Sequence, residues 1–190
     1  MISDSGGDDA VIGRGVRLGV DVGQARVGLA ASDPDGLLAT PIATLRRDHS
    51  VTFPAERGTI GGQGQATQWP EDIAQIVTEV VERRAEVVYI GLPRHLSGAE
   101  GQASGAVRKY AHLLAQAVAP ATVRLVDERM TTVTAHRVLH AAGRSSRHHR
   151  KVVDQVAAVE ILQLALDLER SRGQRAGELV AVSETKGEGR

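Results

Sequence analysis

One strand with an acid in its middle constrains this chain more than any other stretch. In Val16-Arg17-Leu18-Gly19-Val20-Asp21-Val22-Gly23, apolar residues alternate with Arg17, Gly19, Asp21 and Gly23, the period of a half-buried strand. Asp21 therefore shares its face with two glycines, and no side chain lies two residues before or after it. A carboxylate in that position packs badly and is well placed to meet a ligand or cation. The plain alternative is a strand-end acid satisfied by local hydrogen bonds.

The rest of the chain builds a sheet around this strand. After the turn Gly23-Gln24-Ala25, Arg26 to Ala31 alternates again, and Asp33-Pro34-Asp35-Gly36 is a turn signal. Leu37 to Leu45 reads as a third strand, with Pro41 pointing to a sheet edge. Three strands joined by short turns make an antiparallel meander. Residues 46–70, rich in Gly58, Gly61, Gly62 and Gly64, read as a flexible loop insertion. Ile73, Ile76, Val77 and Val80 then mark an amphipathic helix. Glu86 to Ile90 is a buried-type strand, Val107 to Val118 a second helix and Val123 to Val126 another strand. Thr131 or Thr132 could cap a helix to His140 closed by Gly143, and the last helix spans roughly Lys151 to Arg170. The expectation is an α/β fold: a mixed five-stranded sheet, meander first and parallel strands after, with helices on both faces. The domain covers 16–170, between a disordered tail at 1–15 and another at 171–190.

Composition narrows the chemistry. There is no cysteine among 190 residues, so a metal here would need oxygen or imidazole ligands. With 23 Lys and Arg against 23 Asp and Glu, the molecule as a whole does not attract a polyanion, and a nucleic-acid site must be a local patch. Phe53, Trp69, Tyr89 and Tyr110 are too scattered to stack successive bases. No apolar run spans a bilayer and the first residues are not a signal peptide, which leads to the expectation of a cytoplasmic protein.

Two further acids join Asp21. Glu128 follows Asp127 at the carboxyl end of the strand Val123 to Val126, where open sheets carry ligand sites. Asp154 shares a helical stripe with Ala157, Ala158, Ile161, Ala165 and Leu168, so the face that packs on the sheet begins with a carboxylate. Three converging carboxylates without His or Cys suit Mg²⁺ or Mn²⁺, and such sites serve phosphoryl chemistry. Arg144, Arg147, His148, His149, Arg150 and Lys151 form a cationic segment directly before Asp154, either a solvated basic loop or a clamp on a phosphate backbone.

The four segments Asp21 to Ala30, Gly91-Leu92-Pro93 through Gly98, Asp127-Glu128-Arg129-Met130-Thr131-Thr132, and Lys151 through Asp154 to Ile161-Leu162-Gln163 occur here in the order of a known family. The chain resembles the YqgF/RuvX family. The resemblance implies a ribonuclease H-like fold, relation to Holliday-junction resolvases, and a role in maturing the 5′ end of pre-16S rRNA. It implies that Asp21, Glu128 and Asp154 are the acidic triad holding Mg²⁺ or Mn²⁺, with a bound water as nucleophile. Arg26, Arg129 and Lys151 are then the basic positions of its motifs, and the cationic segment read above adds Arg147 and Arg150 as further substrate contacts. The implied partner is structured RNA, with DNA junctions as an alternative, and the protein is a monomer or homodimer without a membrane partner. Gly58 to Gln68 stands as an insertion relative to compact members. Related resolvases carry a fourth carboxylate on the last helix, where Gln155, Val156 and Ala157 follow Asp154.

Two readings from other classes stand beside it. Asp-x-Gly after a first strand also opens the phosphate hairpin of actin-like and sugar-kinase ATPases, which need a second glycine-rich hairpin that this chain lacks. A non-catalytic RNA-binding ribosome-assembly factor could retain the same acids.

Overall fold

The computed structural model describes residues 12–50, 69–94, 97, 100–127 and 147–182, and for 147–154 the backbone alone. The elements in chain order are β1 (Val16–Val22), β2 (Arg26–Ser32), β3 (Ala39–Arg46), α1 (Glu71–Arg83), β4 (Ala85–Leu92), α2 (Gln102–Val118), β5 (Thr122–Asp127), α3 (Arg147–Arg172) and β6 (Glu178–Leu179). They form one sheet of order β3-β2-β1-β4-β5-β6. β1, β2 and β3 pair antiparallel, β4 and β5 join parallel to β1, and β6 closes antiparallel on β5.

The meander and crossovers are as the alternation predicts, but the sheet has six strands and not five. β6 is only two residues long, too short to show a period in sequence. Its approach is held by the Arg124 side chain, whose Nε donates to the Ala176 carbonyl at 2.7 Å and Nη2 to that of Gly177 at 3.0 Å. Residues 171–182, expected in the disordered tail, thus return to the sheet, with Ala176 and Val180 buried. Pro41 does sit on an edge strand, and the β2–β3 register slips beside it, between Leu29 and Ala30. The helix expected between Thr131 and His140 lies outside the described residues, as do 1–11, 51–68 and 183–190. The two ends of the predicted 46–70 loop are tied together: Asp48 accepts from the Glu71 amide at 2.9 Å, and Arg47 pairs with Asp72 at 3.3 Å. Asp48 thereby supplies the cap that Pro70 cannot, and its bonds from Ser50 and Glu71 hold its carboxyl down at about 2.

Each face of the sheet has its own core. α1 and α2 cover Leu18, Val20, Leu29, Val88, Ile90 and Leu125 with Ile73, Ile76, Tyr110 and Leu114. α3 covers Ala30, Val87, Tyr89 and Val126 with Ala158, Leu162, Ala165 and Leu166. Small residues on this second face let α3 lie close to β1. A Cβ at Gly19 would stand 2.6 Å from Leu162 Cβ and 2.7 Å from the Ala158 carbonyl oxygen.

Further along the same face, Arg17 is 2% exposed and Glu169 3%. Their side chains meet at 3.1 Å. Glu169 also takes the Tyr89 hydroxyl and Arg175 Nη1 at 3.0 Å, and Arg175 Nη2 reaches Glu86 at 2.6 Å. Arg17 spends its other donors on the Gly13, Gly15 and Pro34 carbonyls. Buried charges persist only when paired and hydrogen-bonded in this way. Burial, then the Glu169 carboxylate, pushes the Tyr89 hydroxyl far above its ordinary value, so it remains a donor.

The contact at Gly19 is backbone-tight and cannot be relieved by a side-chain rotation. Gly19→Ala is expected to cost about 1–3 kcal/mol of stability, lowering the melting midpoint by about 3–10 °C in a circular-dichroism melt. An unchanged midpoint would mean that α3 does not rest on β1 here.

Candidate functional site

β1, β4 and β5 run parallel, so their carboxyl ends share one edge of the sheet, where open α/β sheets bind ligands. Val20 pairs with Ile90 and Ile90 with Leu125, which sets Asp21 level with Gly91 and Val126. Across the other side of β1, Asp21 pairs with Gly28. The carboxylate thus stands on a floor of small residues, Gly19, Gly23, Gly28 and Gly91, and is 7% exposed.

Two of these glycines are not open space, however. The Gly19 position is filled by α3, and a Cβ at Gly23 would stand 2.8 Å from the Arg26 carbonyl oxygen, which closes the β1–β2 turn by accepting from the Gly23 amide at 2.9 Å. Glycine beside Asp21 therefore serves close backbone approach as much as access.

Arg26 begins β2 and is half-buried. By alternation with Val27 and Leu29 it lies on the α3 face, diagonal to Asp21. Glu128 and Arg129 lie outside the described residues, and Asp154, Lys151, Arg147 and Arg150 lie on the part of α3 described by its backbone. That backbone extends one expectation: the helix, expected from roughly Lys151, already holds Arg147 and Arg150. Among the described residues no group of three or more His, Cys, Asp or Glu is gathered.

A charged ladder at the same edge was not anticipated. Arg94, just past β4, places Nε 3.9 Å from Asp127 and Nη2 3.0 Å from Glu100. Glu100 also pairs with Arg108 of α2 at 2.7 and 2.8 Å. Arg108 then forks onto Glu178 of β6 at 2.8 and 2.9 Å. Arg108 holds both glutamate carboxyls below their ordinary range, and together they raise the guanidinium. Charges separated by this much chain leave no local pattern to read.

Comparison with known proteins adds the decisive finding. A family profile described as "RuvX: Holliday junction resolvase" matches residues 58–168. The chain belongs to the RuvX family. A relative from Nocardioides sp. named "Putative pre-16S rRNA nuclease" is 49% identical over 166 residues, covering 87% of this chain and 96% of its own. Proteins of the same name from Frankia casuarinae and Streptomyces coelicolor are 51% and 48% identical, covering 82% and 89% of this chain and 68% and 90% of their own. The solved structure "T. thermophilus RuvC in complex with Holliday junction substrate" aligns with 84% of this chain and 98% of its own, at 13% identity and a TM-score of 0.46. The mixed sheet, meander first and parallel strands after, is the ribonuclease H-like arrangement that the RuvX resemblance implies. The profile match takes in the ladder from Arg94 to Asp127, while Asp21 and Glu178 lie outside it.

Because the carboxyls of Glu100 and Glu178 are held low in the folded state, their contribution is present above the ordinary glutamate value of 4.5 and is lost as pH falls through the folded values. Arg108→Met is expected to melt about 2–4 °C below wild type at neutral pH, a modest loss because these pairs are largely exposed. The gap should close below pH 4. A gap that stays constant from pH 7 to pH 3 would remove the ion pairs as its cause.

Proposed function

We propose that this chain is a nuclease that hydrolyses a phosphodiester bond in structured RNA, acting at the 5′ end of pre-16S rRNA. The observation that carries the reading is Asp21: a buried carboxylate on a glycine floor at the carboxyl ends of three parallel strands, in a chain of the RuvX family. The names of the relatives supply the substrate. The family description favours one second reading, resolution of DNA junctions.

Register supports the other two acids. Arg124 and Val126 alternate with Leu125 and Asp127, and Val126 belongs to the α3-face core. Asp127 therefore lies on the other face, and an extended step beyond it would bring position 128 to the face of Asp21. On α3, Glu169 meets Arg17 and Leu162 with Ala158 meets Gly19. The helix therefore runs against β1, and one more turn beyond Ala158 brings position 154 towards the level of Asp21. Positions 147, 150, 151 and 154 fall at helical spacing on the stripe of Ala158.

An all-oxygen donor set of Asp21, Glu128 and Asp154, in a chain without cysteine, fits a hard divalent cation such as Mg²⁺ or Mn²⁺. When bound, such an ion lowers the pKa of water and offsets phosphate charge. The acids hold and orient, and α3 screens Asp21 from bulk solvent. Arg26, Arg129, Lys151, Arg147 and Arg150 grip the flanking phosphates. No helix among the described residues is long and apolar enough to cross a membrane; a cytoplasmic monomer or homodimer acting on RNA is the setting we infer.

Asp21→Asn, Glu128→Gln and Asp154→Asn should each abolish Mn²⁺-supported cleavage of a pre-rRNA leader while leaving the circular-dichroism spectrum unchanged, and Asp127→Asn should be milder. Full activity in chelator would remove the metal from the proposal, and an essential Asp127 beside a dispensable Glu128 would reverse the strand-end assignment. A junction substrate cut faster than the leader would favour the second reading.

Binding should separate from chemistry. Arg147→Ala with Arg150→Ala should weaken unrelated RNAs alike and reduce the slope of log affinity against log salt by about one per lost phosphate contact, read by fluorescence anisotropy. Asp154→Asn should bind at least as tightly as wild type. An unchanged slope in the double variant would show that the first turns of α3 do not meet the backbone.

A further inference from the structure

We propose that Arg94 is a positioning residue for the acid that follows Asp127, an inference that rests on the nuclease reading above. Arg94 stands two residues past Leu92, and Leu92 pairs with Asp127 across the end of the sheet. Asp127 is the last residue of β5, and its neighbour Leu125 belongs to the α1–α2 core. Its carboxylate is therefore on the face opposite Asp21, an anchor and not a partner of the triad. Glu128 is the next residue, so whatever fixes the backbone at Asp127 fixes where Glu128 starts.

The anchor is held by charge. Arg94 Nε is buried and makes no hydrogen bond to the described residues, and Asp127 Oδ2 lies 3.9 Å away, an ion pair longer than a hydrogen bond. The guanidinium cannot swing off, because its Nη2 is bound by Glu100 at 3.0 Å. Glu100 is in turn gripped by Arg108, and Arg108 by Glu178. The chain of contacts ties the turn after β4, the start of α2, the end of β5 and the edge strand β6 into one unit.

Among the described residues of this cluster, two guanidiniums face three carboxylates. Arg94 is engaged by two of these carboxylates, Glu100 and Asp127, which argues that it serves the strand end and not the RNA backbone. What it offers is rigidity at the strand end, where a displacement of about 1 Å in a reacting group costs up to about a hundredfold in rate.

The test compares full-length wild type with Arg94→Met, Arg94→Lys, Asp127→Asn and the double variant Arg94→Met/Asp127→Asn. The readouts are thermal melting, Mn²⁺ affinity by water-proton relaxation, and kcat and KM on an RNA leader. Arg94→Met should lower kcat by about tenfold, an intermediate loss for a displaced group, and weaken Mn²⁺ binding, with KM unchanged. Arg94→Lys keeps the charge beside Asp127 and should recover part of both. The double variant should be no worse than the worse single variant, since both act on one strand end. A raised KM with unchanged kcat would make Arg94 an RNA contact, and losses that multiply would make the two residues independent; either result overturns the proposal. So would a lowered melting midpoint with kcat and Mn²⁺ affinity intact. If wild type itself neither binds Mn²⁺ nor cleaves, the nuclease reading falls and this inference with it. If wild type does both and Arg94→Met matches it, only this inference falls.

Discussion

The contact between α3 and β1 at Gly19 is the constraint on which the rest of the structure depends. A helix normally rides on a sheet at side-chain distance, and here the absence of a single Cβ lets Leu162 and the Ala158 carbonyl settle against the strand. That approach buries Ala158, Leu162, Ala165 and Leu166 completely. Asp21 lies two residues along the same face and is 7% exposed.

Such a contact would permit α3 to slide along the sheet if nothing fixed its register. Glu169 supplies the stop: it is buried between Arg17 and Arg175 and takes the Tyr89 hydroxyl. A slip of one turn would part the buried Arg17 guanidinium from the buried Glu169 carboxylate, a penalty of about 3–5 kcal/mol for the broken pair. The charged contact at the amino end of β1 therefore sets which helical residues reach its carboxyl end. At the other end of the sheet the Arg94–Glu100–Arg108–Glu178 ladder adds a polar tie at the surface between β4, α2 and β6, elements that also meet in the α1–α2 core.

Most of the sheet was legible because its residues obey a period. Val16, Leu18, Val20 and Val22 alternate, as do Val27, Leu29 and Ala31, and the continuous run Val87 to Ile90 marks a strand buried on both faces. α1 and α2 announce themselves by apolar spacing. β6 could not be seen, because two residues carry no period and the strand is held by the Arg124 side chain and the turn at Gly177. The expected start of α3 at Lys151 falls short of Arg147 because Arg147 to Arg150 is basic throughout, which gives apolar spacing nothing to register. For the site, Asp21 stands out as an acid amid glycines, whereas the pairing of Arg94, Glu100 and Arg108 with Glu178 has no local signal, because its partners come from separate elements.

The sequence by itself determined the order of strands and helices, the family, and Asp21 as the acid of the first strand, since each is written in neighbouring residues. It did not determine that Arg17, on the same strand face as Asp21, is a buried structural charge, because its partner Glu169 lies at the far end of the chain. Nor did it determine that the glycines beside Asp21 are occupied by the Ala158 and Arg26 carbonyls. Only the tertiary structure decided those points: a charge or a glycine takes its role from whatever comes within a few ångströms of it, and here that is chain from distant elements brought in by packing.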